Sequence, residues 1–173
     1  MAILPILVAP DPRLKAPAKT VENVDAEIRQ LMDDMLETMY QANGIGLAAP
    51  QVGVSKRVIV IDVARDDEQP NPVRMANPEI VWASETEQLH EEGCLSLPEQ
   101  FAEVMRPTAV RVRYLDHENE IRELDADEML GICVQHEMDH LEGTLFVDHL
   151  STLKRNMILR KLQKARRGQP ATV

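Results

Sequence analysis

The sequence predicts an α+β fold: antiparallel or mixed β-strands packed around a central helix, with further helices near the N-terminus and at the C-terminus. Two periodicities predict it. Apolar residues recur at helical spacing from Ile28 to Met39, whereas β-branched or alternating runs occupy Arg57–Val63 and Ala109–Leu115. At 173 residues the chain has the size of one domain, able to bury a core without disulfides. Residues 1–173 are therefore read as one unit, with 151–173 as a basic C-terminal helix and tail.

The first twenty residues hold four of the eleven prolines and read as an extended arm. Their apolar run, Ile3 to Ala9, is too short to span a bilayer and lacks a basic leader, and nothing here resembles a transit peptide; the expected location is the cytoplasm. A helix is expected from Val24 or Asp25 to Ala42. Ile28, Leu31, Met32, Met35, Leu36 and Met39 form one face, Asn23 or Asp25 caps the start and Asn43-Gly44 supplies the stop. Strands follow at Arg57–Val63, at Arg74–Met75 into Glu79–Ala83, at Glu85–His90, at Ala109–Leu115 and at Ile121–Leu124. Asp125 or Asp127 is expected to cap a second helix that ends near Leu141-Glu142-Gly143, and a last helix runs from about Thr152 to Arg166. No repeat, low-complexity tract or linker interrupts this order.

Composition narrows the function. The formal net charge is −10, but the residues from Ser151 onward carry seven Lys/Arg and no Asp/Glu, leaving twelve basic and twenty-nine acidic residues in the body. An acidic body argues against general nucleic-acid binding, no sequence-specific nucleic-acid partner is expected, and the basic tail needs its own explanation. Two cysteines in unrelated surroundings point to a reducing compartment rather than a disulfide framework.

Chemistry concentrates in His136-Glu137-Met138-Asp139-His140. Histidines at i and i+4 share a helix face and can bind one metal, and the glutamate beside the first can act as general base. The plain alternative is an exposed, charged turn. Met129, Leu130, Ile132, Cys133 and Val134 argue instead that this helix is core, where His and Glu need partners. Two thiols compete to be the third ligand. The helix rises about 10 Å from Cys133 to His140 at ~1.5 Å per residue. A short side chain with a metal–sulfur bond of ~2.3 Å bridges that poorly, which favours Cys94 without deciding it. Gly44-Ile45-Gly46-Leu47-Ala48-Ala49-Pro50-Gln51 reads either as a helix stop and tight turn or as backbone that closely approaches a ligand, with the Gln51 amide aimed inward.

With these segments together, GIGLAAPQ at 44–51, EGCLS at 92–96 and QHEMDHL at 135–141, the chain resembles the peptide deformylases, and the likeness runs from APDPRL (9–14) to GTLFVDHLS (143–151). The resemblance implies an enzyme that removes the formyl group from the N-terminal formyl-Met of nascent polypeptides and releases formate. It implies Cys94, His136 and His140 as ligands to a divalent metal, Fe²⁺ first, with Zn²⁺, Ni²⁺ or Co²⁺ possible in preparations, and water as a fourth ligand. Glu137 would take the proton of that water and return it to the leaving amine. Gln51 and the Leu95 backbone N–H would join the metal in stabilising the oxyanion. By the same matching, Ile45, Gly46 and Gly93 pair with the peptide backbone. Met129, Ile132 and Cys133 line the pocket for the Met side chain beside His136. Glu92 orients the site or pairs with a buried arginine such as Arg106. Phe101 stands where some relatives place Arg, so the resemblance does not carry over a charged contact with downstream substrate. The basic helix is expected to be a solvated face or a ribosome contact. A zinc endopeptidase using His149, and a thiolate–histidine metal-binding module, are the rival readings.

Overall fold

A computed structural model of the chain describes residues 2–167. The end of the expected basic tail, residues 168–173, lies outside them. Helix α1 covers Ala26–Gln41, and strands β1 Gly46–Ala48, β2 Val58–Ile61 and β3 Val73–Ala83 follow. Next come β4 Glu87–Cys94, β5 Leu97–Pro107, β6 Ala109–Leu115 and β7 Ile121–Asp127, then helices α2 Glu128–Leu141 and α3 Thr152–Arg167. Five strands form an antiparallel sheet in the order β1-β2-β3-β6-β7, and β4 and β5 form a separate antiparallel hairpin.

The sheet lies between two helices because β2 is apolar on both faces. Val58 and Val60 join Met32, Met35 and Met39 of α1, whereas Ile59 and Ile61 join Cys133, Val134 and Leu141 of α2. A third cluster, around Leu97, Val104, Phe146, Ile158 and Leu162, joins α3 to the β4–β5 hairpin. Each fully buried side chain of this size contributes about 1.5–3 kcal/mol. The helix carrying HEMDH is thus held on one side by the sheet.

Local signals explain most boundaries. The Asp25 carboxylate accepts from the Ile28 N–H at 3.0 Å and caps α1. At its other end Asn43, not Gly44, takes the left-handed conformation (φ 57°), and the Gly44 N–H returns to the Met39 carbonyl. The two segments expected on either side of Asn77-Pro78 are one strand, β3, with a register shift between Ala76 and Glu79 that accommodates the proline. Capping of α2 differs from expectation: Asp127 occupies the N-cap position but its side chain makes no capping hydrogen bond.

Two strands escape the sequence patterns. β1 is only three residues long. β5 has Arg106 turned inward and Phe101 and Met105 turned outward, so its apolar alternation is broken on both faces. The amino-terminal arm, expected as extended, contains a short 3₁₀ turn at Pro12–Lys15. Upstream of that turn, the Leu7 N–H donates to the Gln51 carbonyl (2.7 Å) and the Ala9 N–H to the Ser96 carbonyl (2.8 Å), which ties two distant motifs together.

Candidate metal centre

α2 presents His136 and His140 one turn apart, both buried, with ring centroids 5.1 Å from each other. Cys94 comes from the end of β4, where the hairpin register breaks: Gly93 still pairs with Phe101, but Cys94 pairs with Leu97. That irregularity turns the thiol toward α2, and Cys94 Sγ lies 3.4 Å from His140 Nε2. One donor atom from each of Cys94, His136 and His140 falls within 4.8 Å of the others, the only such group of His, Cys or acidic residues among the described residues.

His136 is oriented from behind. Its Nδ1 meets Glu92 Oε1 at 3.0 Å, which leaves Nε2 available as the ligand atom. Glu92 is gripped by Arg106 through Nε to Oε2 (2.5 Å) and Nη2 to Oε1 (2.8 Å). Arg106 Nη1 also reaches Asp139 Oδ2 (2.9 Å), and His149 Nε2 meets the same oxygen at 2.8 Å. Burial pushes the Glu92 carboxyl up, but hydrogen bonds from Arg106 and His136 outweigh it and hold the group at about 2. His149, the third ligand a zinc endopeptidase would need, is thus engaged with Asp139 outside the donor group.

Glu137 is buried as deeply, yet its Oε1 has no hydrogen-bond partner in the protein. Burial, reinforced by the charge of Glu92, pushes its carboxyl up to about 7, although His136 pulls the other way. Gly46 allows the backbone of β1 to come this close: a Cβ there would sit 2.5 Å from Glu137 Oε2 and 2.8 Å from Cys133 Sγ. Burial also pushes the Cys133 thiol up, and its Sγ points to the Ile45 carbonyl at 3.6 Å, away from the donor group.

The Gln51 carboxamide spans the two loops. Its Oε1 accepts from the Ala48 N–H (2.9 Å), while Nε2 donates to Ser96 Oγ (3.1 Å) and lies 3.5 Å from Cys94 Sγ. A cavity of about 430 Å³ is bounded by Gly46, Gln51, Cys94, Leu95 and Phe101. A second, of about 180 Å³, is bounded by Ile45, Glu92, Gly93, Met129, Ile132 and Cys133. His136 and Glu137 border both. All the predicted site residues are therefore brought to one place.

Sequence reasoning missed four contributors. Ser96 is fully buried against Gln51, and its only signal was a lone hydroxyl between leucines. Asp139 had a place in the motif but no role until Arg106 and His149 were seen on it. Tyr40 donates to Asp62 at 2.5 Å, and the Asp62 N–H holds the Ile45 carbonyl at 2.9 Å, so this pair anchors the glycine loop.

The donor set suits a cation. Burial lowers His140 with help from His136 and Arg106, which favours the neutral imidazole a metal would need. At His136 burial is outweighed by Glu137, Cys94 and Glu92, which raise its affinity for positive charge. Two imidazoles and a thiol in a negative environment fit a divalent metal of intermediate softness.

The chain is similar in sequence and fold to known proteins. Residues 3–156 match the family model described as polypeptide deformylase. A peptide deformylase of Phenylobacterium zucineum is 57% identical over 164 residues, 95% of this chain and 97% of its own length. One from Methylocella silvestris is 55% identical over 168 residues, 95% of this chain and 86% of its own. The crystal structure of peptide deformylase from Ehrlichia chaffeensis superposes with a TM-score of 0.92 at 40% identity, over 96% of this chain and 98% of that one.

Proposed function

This chain belongs to the polypeptide deformylase family of enzymes, and on that premise we propose that it hydrolyses the N-terminal formamide of formyl-Met nascent polypeptides and releases formate. The observation that carries this is the buried Glu137 carboxyl, whose Oε1 has no protein partner, beside the convergent Cys94, His136 and His140 at the junction of two cavities.

Cys94, His136 and His140 would hold one divalent cation. The donors accept Fe²⁺, Zn²⁺, Ni²⁺ or Co²⁺, and Fe²⁺ is the ion this reading puts first. When bound, the cation supplies Lewis acidity at the formyl oxygen and to the attacking water. Glu137 takes a proton from that water and delivers it to the departing amine; its elevated position near neutrality supports both directions of transfer. Gln51 Nε2 and the Leu95 N–H stabilise the oxyanion, a donor of this kind being worth about 3–4 kcal/mol. The backbones of Ile45, Gly46 and Gly93 pair with the extended peptide in the manner of strand addition. Met129, Ile132 and Cys133 receive the methionine side chain, with Glu92 as the support of His136. Oxygen-free purification, with metal analysis alongside formate release from a formyl-Met peptide, tests activity and ion together. Release that does not track metal content excludes this reading.

The substrate is made in the cytoplasm, which places the reaction there, and no helix among the described residues is long and apolar enough to cross a membrane. Because α3 carries no acidic residue and exposes Arg160 and Lys164, it serves as a ribosome contact. Truncation would remove Ile158 and Leu162 from the core, so the test is charge reversal of Arg160 and Lys164. Co-sedimentation with ribosomes should weaken and lose part of its salt dependence; unchanged binding excludes the contact.

A further inference from the structure

The two cavities at the metal donors do not account for all the concave surface. A groove of about 320 Å³ lies between β5 and α3, and Phe101 borders both it and the larger site cavity. We propose that this groove continues the substrate channel and takes polypeptide downstream of the residues held at the metal donors, selecting an apolar side chain flanked by an acidic one. The proposal rests on the reading of the site as a formyl-peptide site.

Continuity comes first. Phe101 pairs with Gly93 across the hairpin, and a Cβ on Gly93 would lie 2.6 Å from the Phe101 ring. Glycine therefore lets the ring lie close over β4, where it forms both the outer wall of the site and the entrance of the groove. A chain leaving the site along the hairpin meets this ring before open solvent.

The second observation is the character of the groove. Lys154, Met157, Ile158 and Lys161 stand at i, i+3, i+4 and i+7 on one face of α3. Ile158 is anchored in the core beneath, while Met157 remains 49% exposed and Phe101 62% exposed, with Leu150 completing the apolar lining. Methionine and an aromatic ring make an adaptable apolar surface, suited to varied side chains. Lys154 and Lys161 flank Met157, and neither has an ion-pair partner among the described residues, although the body of the protein is acidic. Glu103 stands on the β5 wall and disfavours an acidic group on that side. An acidic residue beside an apolar one would therefore meet the α3 side. A nucleic-acid backbone would bring its phosphates over an apolar floor, so a polypeptide fits better.

The test compares a formyl-Met tripeptide with ten-residue formylated peptides of the same first three residues, carrying either Leu-Asp or Ser-Lys pairs downstream. The metal-loaded wild-type chain should show a KM about tenfold lower for the Leu-Asp peptide than for the tripeptide, with little gain for Ser-Lys. Met157→Glu and Lys161→Glu, both at exposed positions and checked by thermal melting, should each abolish most of that gain and leave tripeptide kcat/KM unchanged. Equal KM values for all peptides, with the tripeptide cleaved, overturn the groove alone. A gain that survives in both variants also overturns it. Loss of ribosome co-sedimentation in Met157→Glu with the length effect intact assigns the groove to a different partner. Failure of the wild-type chain to cleave even the tripeptide removes the underlying reading and the groove with it.

Discussion

Glu92 and Glu137 both stand beside His136 and are buried to nearly the same degree, 5% and 4% exposed, yet the fold treats them in opposite ways. Glu92 faces the interior between the hairpin and α2, where Arg106 and His136 satisfy both oxygens and hold the group at about 2. Glu137 faces the cavities, where one oxygen finds no protein partner and burial carries it to about 7. One carboxylate stays an anion that orients the His136 ring; the other can gain and lose a proton near neutrality. Burial alone does not decide between a structural and a reactive acid. The supply of donors does.

The largest break in this comparison should come from Glu137→Gln. Formate release is expected to fall by about 10²–10⁴-fold, with metal content and fold unchanged because glutamine keeps the side chain's shape and Oε1 has no protein partner to lose. Retained turnover would move the proton transfer to another group. Next, Arg106→Leu strands Glu92 in the interior and should cost about 3–5 kcal/mol in denaturant unfolding. Adding Glu92→Gln should restore part of that loss, and a double-mutant cycle without coupling would show that the pair is not one unit.

Gly46→Ala sharpens the contrast from the cavity side. Its Cβ would displace the Glu137 carboxylate, and a misplacement of about 1 Å costs on the order of 10²-fold in turnover. Stability should change little, and full activity would mean that Glu137 has room to spare. The smallest effect concerns Asp148, a partly exposed carboxylate outside this pair. Burial raises it, but the Leu145 N–H, Lys15 and Arg155 outweigh that and leave it below its usual value. A depressed folded value means that its stabilisation is complete above the unfolded pKa of about 3.9 and fades as pH falls through the folded one. The stability difference between wild type and Asp148→Asn should therefore shrink below about pH 4 in urea melts; a difference independent of pH would show that the charge is immaterial.

Much of this molecule is legible in its sequence. α1 and α2 follow from apolar spacing, β6 from alternation, and the histidine pair from the geometry of a helical turn, because each is a property of neighbours along the chain. β5 was hidden because it turns Arg106 inward and Phe101 and Met105 outward, so a buried ion pair and an exposed apolar face reversed the pattern that identifies strands. Ser96 and Asp139 were visible as residues but not as contacts.

By its residues alone the chain determined an α+β domain, two imidazoles on one helix face and a glutamate beside them. Tertiary structure decided how Cys94 reaches them across the chain, and why Glu92 is neutralised by Arg106 while Glu137 is left facing the cavities. Residues 46, 92–106 and 133–140 meet through strand register and the break at Gly93 and Cys94, and no local periodicity encodes contacts across such separations.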